Sequence, residues 1–174
     1  MTRTCHRLRL PVIAVMLAVA TACAGSPGSA GTPTPQVRTE VGGGFVAQYI
    51  GKFKWTPCSK NDAGRFSFRG SGRAEYLHES TESGDLSGKL TGRTCTWSGT
   101  ATLASLRHPA NSVTFSVRLK DRDGFGPCRN GINFVVKRGA GKLLHASGSG
   151  AVLLACTGTF HGSNIDSWNG SLTL

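Results

Sequence analysis

The sequence predicts an all-β fold: a small antiparallel β-barrel of about eight strands, closed by two disulfides. Three observations carry that prediction. Apolar and polar residues alternate with a period of two in several segments, while helical periodicity is almost absent. The chain holds 24 glycines in 174 residues, about twice the usual share, with none of the three-residue period of collagen. Cys58, Cys95, Cys128 and Cys156 lie in the segment that follows an export leader, and an even number of cysteines there implies paired thiols.

The leader comes first. Arg3, Arg7 and Arg9 form a basic start, and Leu10 to Ala22 is free of charge. That run is too short to span a bilayer and suits the apolar core of a signal peptide over residues 1–22. It ends Ala20-Thr21-Ala22-Cys23, which resembles the lipobox of bacterial lipoproteins, although Ala20 stands where that family usually has Leu. The resemblance implies lipidation of Cys23 and a protein tethered to the membrane outside the cytoplasm. Cleavage after Ala22 without acylation gives a secreted protein instead. Residues 23–36 are Gly, Ser, Ala, Thr and Pro around Cys23 and read as a linker, leaving 37–174 as the folded domain. Loss of the three leader arginines leaves 17 Lys and Arg against nine Asp and Glu, a formal charge of +8. The basic residues are scattered singly, in no run longer than Lys137-Arg138, so the expected reading is a solvated barrel exterior; the functional alternative is attraction to anionic lipid heads or envelope polymers, which a tethered cation would meet at close range. Export disfavours nucleic acid as a partner.

The strands follow in order. Phe45, Ala47, Tyr49, Gly51, Phe53 and Trp55 fall on one face of the first. Phe66, Phe68, Gly70, Gly72, Ala74 and Tyr76 share a face of the second, with Arg65, Ser67, Arg69, Ser71, Arg73 and Glu75 opposite. Cys95, Trp97, Gly99, Ala101 and Leu103 alternate with threonines and serine, and Val113, Phe115, Val117 and Leu119 alternate with polar residues. Further strands are expected at 132–137, 143–148, 151–158 and 168–174. Turns are expected at Asp62-Ala63-Gly64, Asp123-Gly124, Asn130-Gly131 and Asn169-Gly170. One apolar face per strand describes a sheet that must cover that face by closing or by stacking as a β-sandwich. Gly51, Gly70, Gly72 and Gly99 lie on the apolar faces, where a missing side chain permits the sharp coiling of a small barrel. Four cysteines allow three connectivities. Cys58–Cys95 and Cys128–Cys156 are the expected pairs, each worth about 3–4 kcal/mol by loop closure.

Phe68-Arg69-Gly70-Ser71-Gly72-Arg73-Ala74-Glu75-Tyr76-Leu77-His78-Glu79-Ser80 resembles the F-x-G-x-G-x-A-x-x-L-x-x-S/T start of certain secreted bacterial β-barrel proteins. Segments 98–103 and 111–115 are similar to their second signature, and 139–150 to their third. These proteins look like relatives of the allene oxide cyclase and dirigent-type barrels, and most have no assigned activity. The resemblance covers about residues 45–174. It implies a barrel, and it admits an isomerase or cyclase acting on an apolar small molecule inside it. It transfers no catalytic residue.

Motifs of known chemistry are missing. No G-x-S-x-G elbow, H-E-x-x-H or phosphate-loop signature occurs. Gly84 to Lys89 has the wrong spacing for a phosphate loop, and Asp121-Arg122-Asp123-Gly124 fails as a calcium loop at Phe125 and Ile132. No cofactor and no metal site is expected. Glu75, His78, Glu79 and Glu82 form the densest acidic group, but Glu75 and His78, three apart on a strand, point to opposite faces. Tyr49, Trp55, Phe66, Phe68, Tyr76, Trp97, Phe115 and Phe134 are the candidate interior, and His145 is the candidate polar group beside them. They line an aromatic cavity for an apolar ligand or pack into a filled core. The sequence therefore describes a binding protein, for an apolar ligand or an envelope partner, more than an enzyme.

Overall fold

The computed structural model describes residues 43–122, 126–128 and 130–174. Eight strands run in chain order: β1 (Gly43–Thr56), β2 (Gly64–Ala74), β3 (His78–Thr91), β4 (Thr94–Ser105), β5 (Ser112–Asp121), β6 (Gly131–Ala140), β7 (Ser147–Thr157) and β8 (His161–Thr173). Each pairs antiparallel with the next, and β8 returns to β1, so the sheet is a closed barrel and not a sandwich. Closure removes both sheet edges, so that every strand has a hydrogen-bonded neighbour on each side, β6 and β7 pairing over Gly131–Val135 and Ser149–Leu153. The signal peptide, Cys23, the linker and the Asp123-Gly124 turn lie outside the described residues.

Alternating side chains build the core. Inward positions of β1 (Phe45, Ala47, Tyr49, Phe53) are buried while Val46, Gln48, Ile50, Lys52 and Lys54 are exposed. Aromatic rings meet in the interior: Phe115 lies edge-on to Phe134 at 4.9 Å and tilted against Trp168 at 5.1 Å, and Phe45 lies 6.0 Å from Phe115. Such pairs add about 0.5–1.5 kcal/mol each beyond buried area. Two disulfides clamp one end, Cys58–Cys95 with Cα atoms 6.2 Å apart and Cys128–Cys156 at 5.5 Å. They belong to an oxidising, extracytoplasmic environment. Among the described residues no helix is long and apolar enough to cross a membrane.

Four expectations are corrected. β3 fills residues 78–91, where no strand is predicted, because its inward side is Ser80, Glu82, Gly84, Leu86, Gly88 and Leu90 and lacks an apolar alternation. Instead of a strand over 143–148, a short 3-10 turn (Gly141–Leu143) buries only Leu143, and β7 begins at Ser147. β8 begins at His161 and not at Trp168, and Asn169-Gly170 lies inside it, paired with Val46 and Phe45. Finally, β2 stops at Ala74, and Tyr76 sits in the turn with φ 67°, so that Leu77 takes the buried position.

The glycine expectation concerns backbone approach. A Cβ at Gly51 or Gly72 would strike the backbone of the neighbouring strand, so only glycine allows that close, coiled crossing. Gly51 faces Gly70 across β1 and β2, and the two open a lane across the inner wall.

Candidate functional site: a buried acid pair and a basic outer wall

The lane defines what the interior can hold. Gly70 is the partner of Glu82 on β3, and Gly51 is the partner of Asn164 on β8. One row across four strands therefore reads Asn164, Gly51, Gly70, Glu82, with side chains only at its ends. The Glu82 side chain lies over Gly70, where an added Cβ would sit 2.8 Å from its Oε1. It reaches β8, where Trp168 Nε1 donates to Glu82 Oε2 at 3.0 Å. Asp166, next but one along β8 from both Asn164 and Trp168, accepts from Asn164 Nδ2. In the adjoining row Tyr49 is bonded to Ser80 at 2.8 Å. The Ser80 hydroxyl donates to His78 O at 3.1 Å, and a hydroxyl has one proton, so Tyr49 is the donor of that pair.

These groups are shut away from water: Glu82 is 2% exposed and Asp166 0%. No Lys, Arg or His is buried with them among the described residues. Burial first, and then the hydrogen bond and the charge of Asp166, push the Glu82 carboxyl far above its ordinary range. Burial also raises Asp166, opposed by hydrogen bonds from Glu82 and Asn164. Both carboxyls are therefore held above their ordinary range, and the pair favours carrying a proton between them. Glu82 Oε1 and Asp166 Oδ1 are buried with no other hydrogen-bond partner, and a proton shared by the two carboxyls would satisfy them. Tyr49 is raised by burial, partly countered by Ser80 and reinforced by Glu82. The interior thus carries a neutral, proton-bearing acid wedged among aromatic rings.

The predicted site residues are spread more widely. Tyr49, Phe66, Phe68, Trp97, Phe115 and Phe134 are all buried in the core. Trp55 and Tyr76 are half-buried, Trp55 packing at 5.6 Å on Phe160, and His145 is exposed in the turn before β7. Of the acidic group, Glu79 pairs with Arg107 at 3.3 Å on the surface, and only Glu82 turns inward. Ser80, Asn164, Asp166 and Trp168 are site residues that the sequence reading missed. Their signal is the spacing of two, Asn164-Asp166-Trp168 and Ser80-Glu82, which places each set on one face. Asp121, buried at the end of β5, accepts from Gly126 N at 2.8 Å and so holds the chain beyond β5.

Outside, charge is uneven. β1 and β2 turn Lys52, Lys54, Arg65, Arg69 and Arg73 to solvent, with no acid on either outer face. Lys52 and Arg69 are direct partners in the register. A groove of about 600 Å³ crosses this wall, lined among others by Ile50, Lys52, Lys54, Ser67, Arg69 and Ser71. None of the five cations makes an ion pair among the described residues.

Fold and site together define a closed eight-stranded antiparallel barrel, acidic within and basic without. No family model matches the chain, and no curated protein matches it. Among solved structures it is similar to the pterocarpan synthase dirigent protein GePTS1, with 10% identity and a TM-score of 0.49, over 82% of this chain and 98% of that one.

Proposed function

We propose that this protein is an exported barrel, tethered to the membrane through a lipid on Cys23, that binds an anionic component of the cell envelope. The observation that carries the reading is the sorting of charge. Glu82, Asp121 and Asp166 are buried, while the cations of β1 and β2 stand in solvent without acidic neighbours on their own faces. An exterior more basic than the composition attracts polyanions over a Debye length. Phe45, Phe115, Phe134 and Trp168, among the rings that would line a cavity for an apolar ligand, are in contact with one another, which favours the outer wall as the binding surface. Co-sedimentation with isolated wall polymer and with anionic vesicles, at 50 and 300 mM salt, tests the reading. Binding that weakens steeply with salt supports it; no binding to either material refutes it. Mass spectrometry of the exported form tests the tether, which requires an acylated Cys23 at the N-terminus.

A second reading, an isomerase or cyclase acting on an apolar small molecule inside the barrel, draws on one observation, the Glu82 carboxyl buried against Trp168, where burial pushes its pKa up. A buried neutral carboxyl is a general acid. That chemistry requires the packed rings to part, so a candidate substrate must quench or shift the fluorescence of Trp168 on binding. A compound that is turned over without such a change excludes this site as its location.

A further inference from the structure

Lys52 and Arg69 face each other directly across β1 and β2. Like charges so placed destabilise a sheet, and the register offers no relief. Arg73 is opposite Gln48, Lys54 opposite Ser67, and Arg65 opposite Thr56. On the adjoining β3, Asp85 opposes Ser67, while Glu79, opposite Arg73, is engaged by Arg107. The wall is an unbalanced cation, and its other feature is aliphatic. Ile50 is 67% exposed and stands directly opposite Ile165 of β8, itself 47% exposed, with Val46 at 58% further along β1. Single exposed aliphatics are ordinary. A cross-strand isoleucine pair bordered by Lys52, Arg69 and Arg73, with Lys54 and Arg65 further along the same wall, is the pattern of a surface that enters a head-group layer.

We propose that the outer wall of β1 and β2, centred on Ile50, Lys52 and Arg69, docks on an anionic lipid leaflet. The proposal rests on the anionic-partner reading above and names its partner. A soluble polyanion has use for Lys52, Arg69 and the hydroxyls of Ser67 and Ser71 but none for Ile50 and Ile165, whereas a leaflet uses both sets. The shallow, open groove of about 600 Å³ on this wall sets Lys52, Lys54 and Arg69 beside the hydroxyls of Ser67 and Ser71, donors that suit a phosphate head group. The acyl chain on Cys23 would supply the leaflet at close range, since the 20 residues from there to Gly43 extend to about 70 Å at most.

The test uses the exported chain, residues 23–174, carrying Cys23→Ser so that neither leader nor acyl group contributes, and vesicles of 30% phosphatidylglycerol in phosphatidylcholine against pure phosphatidylcholine. Binding to the anionic vesicles alone is expected. Each cation at a charged leaflet is worth about five-fold in partitioning, so Lys52→Glu with Arg69→Glu lowers binding by about 25-fold or more. The same charge change at Lys137 and Arg138, on β6 half-way round the barrel, has a much smaller effect. Ile50→Ser with Ile165→Ser lowers vesicle binding by about ten-fold and leaves binding to soluble polyphosphate unchanged. These side chains are exposed, and unchanged thermal unfolding confirms that the variants are folded. Equal losses from the β1–β2 and β6 charge pairs overturn the proposal, as does vesicle binding indifferent to the two isoleucines. Binding to polyphosphate without binding to vesicles overturns the proposal and leaves the anionic-partner reading intact; binding to neither removes both.

Discussion

Replacing Glu82 by Gln should flatten the pH dependence of stability. The amide is isosteric: its carbonyl accepts from Trp168 Nε1 as Glu82 Oε2 does at 3.0 Å, and its NH₂ donates to Asp166 where the carboxylic proton does. In the native protein the folded carboxyl binds its proton more tightly than the unfolded one. Stability from that proton is complete below the unfolded value near pH 4.3 and falls as pH rises towards the raised folded value. The slope is about 1.4 kcal/mol per pH unit for one proton. For a domain of this size that is about 4–6 °C in Tm per unit. Thermal unfolding of both proteins at pH 5, 6, 7 and 8 should show the native curve falling away from the Glu82→Gln curve by about that much per unit. The exposed histidines and the general basicity are common to the two and cancel in the difference. Parallel curves would refute the reasoning, because they would mean that Glu82 is ionised in the folded state.

Two further outcomes follow from the same geometry. Gly70→Ala puts a Cβ 2.8 Å from Glu82 Oε1 and 3.0 Å from Ile50 O; overpacking of this kind costs about 1–3 kcal/mol, and denaturant unfolding should show it. It should also displace Glu82 from Trp168, read as a shift in the tryptophan emission. Removing Cys128–Cys156, which closes a separation of 28 residues, or Cys58–Cys95, which closes 37, should lower stability by about 4 kcal/mol each on the loop-closure estimate. Unfolding with and without a reducing agent checks both, and a Tm unaffected by reduction would show that neither bridge constrains the unfolded chain.

The residues of the site explain why so much of the fold was legible and so little of the interior chemistry. β1, β2, β4 and β5 announce themselves because their inward residues are large and apolar, as in Phe45-Tyr49-Phe53 and Val113-Phe115-Val117-Leu119. β3 and the first half of β8 do not, since their inward residues are Ser80, Glu82 and Gly84, and Gly162, Asn164 and Asp166. Hydrophobic periodicity is the signal for a strand, and a site that places acids and amides inside a barrel erases it. The expected count of about eight strands matched the barrel because the missed β3 and the overread 143–148 segment offset each other.

Local chemistry along the chain was enough to determine an all-β domain: the alternation, the glycines on apolar faces and the four cysteines of an exported segment. Each of these acts within a few residues or through simple counting, so a single sequence carries it. Barrel closure is different, since it depends on β8 meeting β1 at a register that joins Tyr49 to Asp166 and Gly51 to Asn164. Only that pairing brings Glu82, 86 positions from Trp168, across two glycines to its partners. Tertiary structure alone decides that three carboxylates leave the surface and that the cations remaining on β1 and β2 stand unanswered. A side chain's charge is written in the sequence, but its proton and its partner are set by what surrounds it.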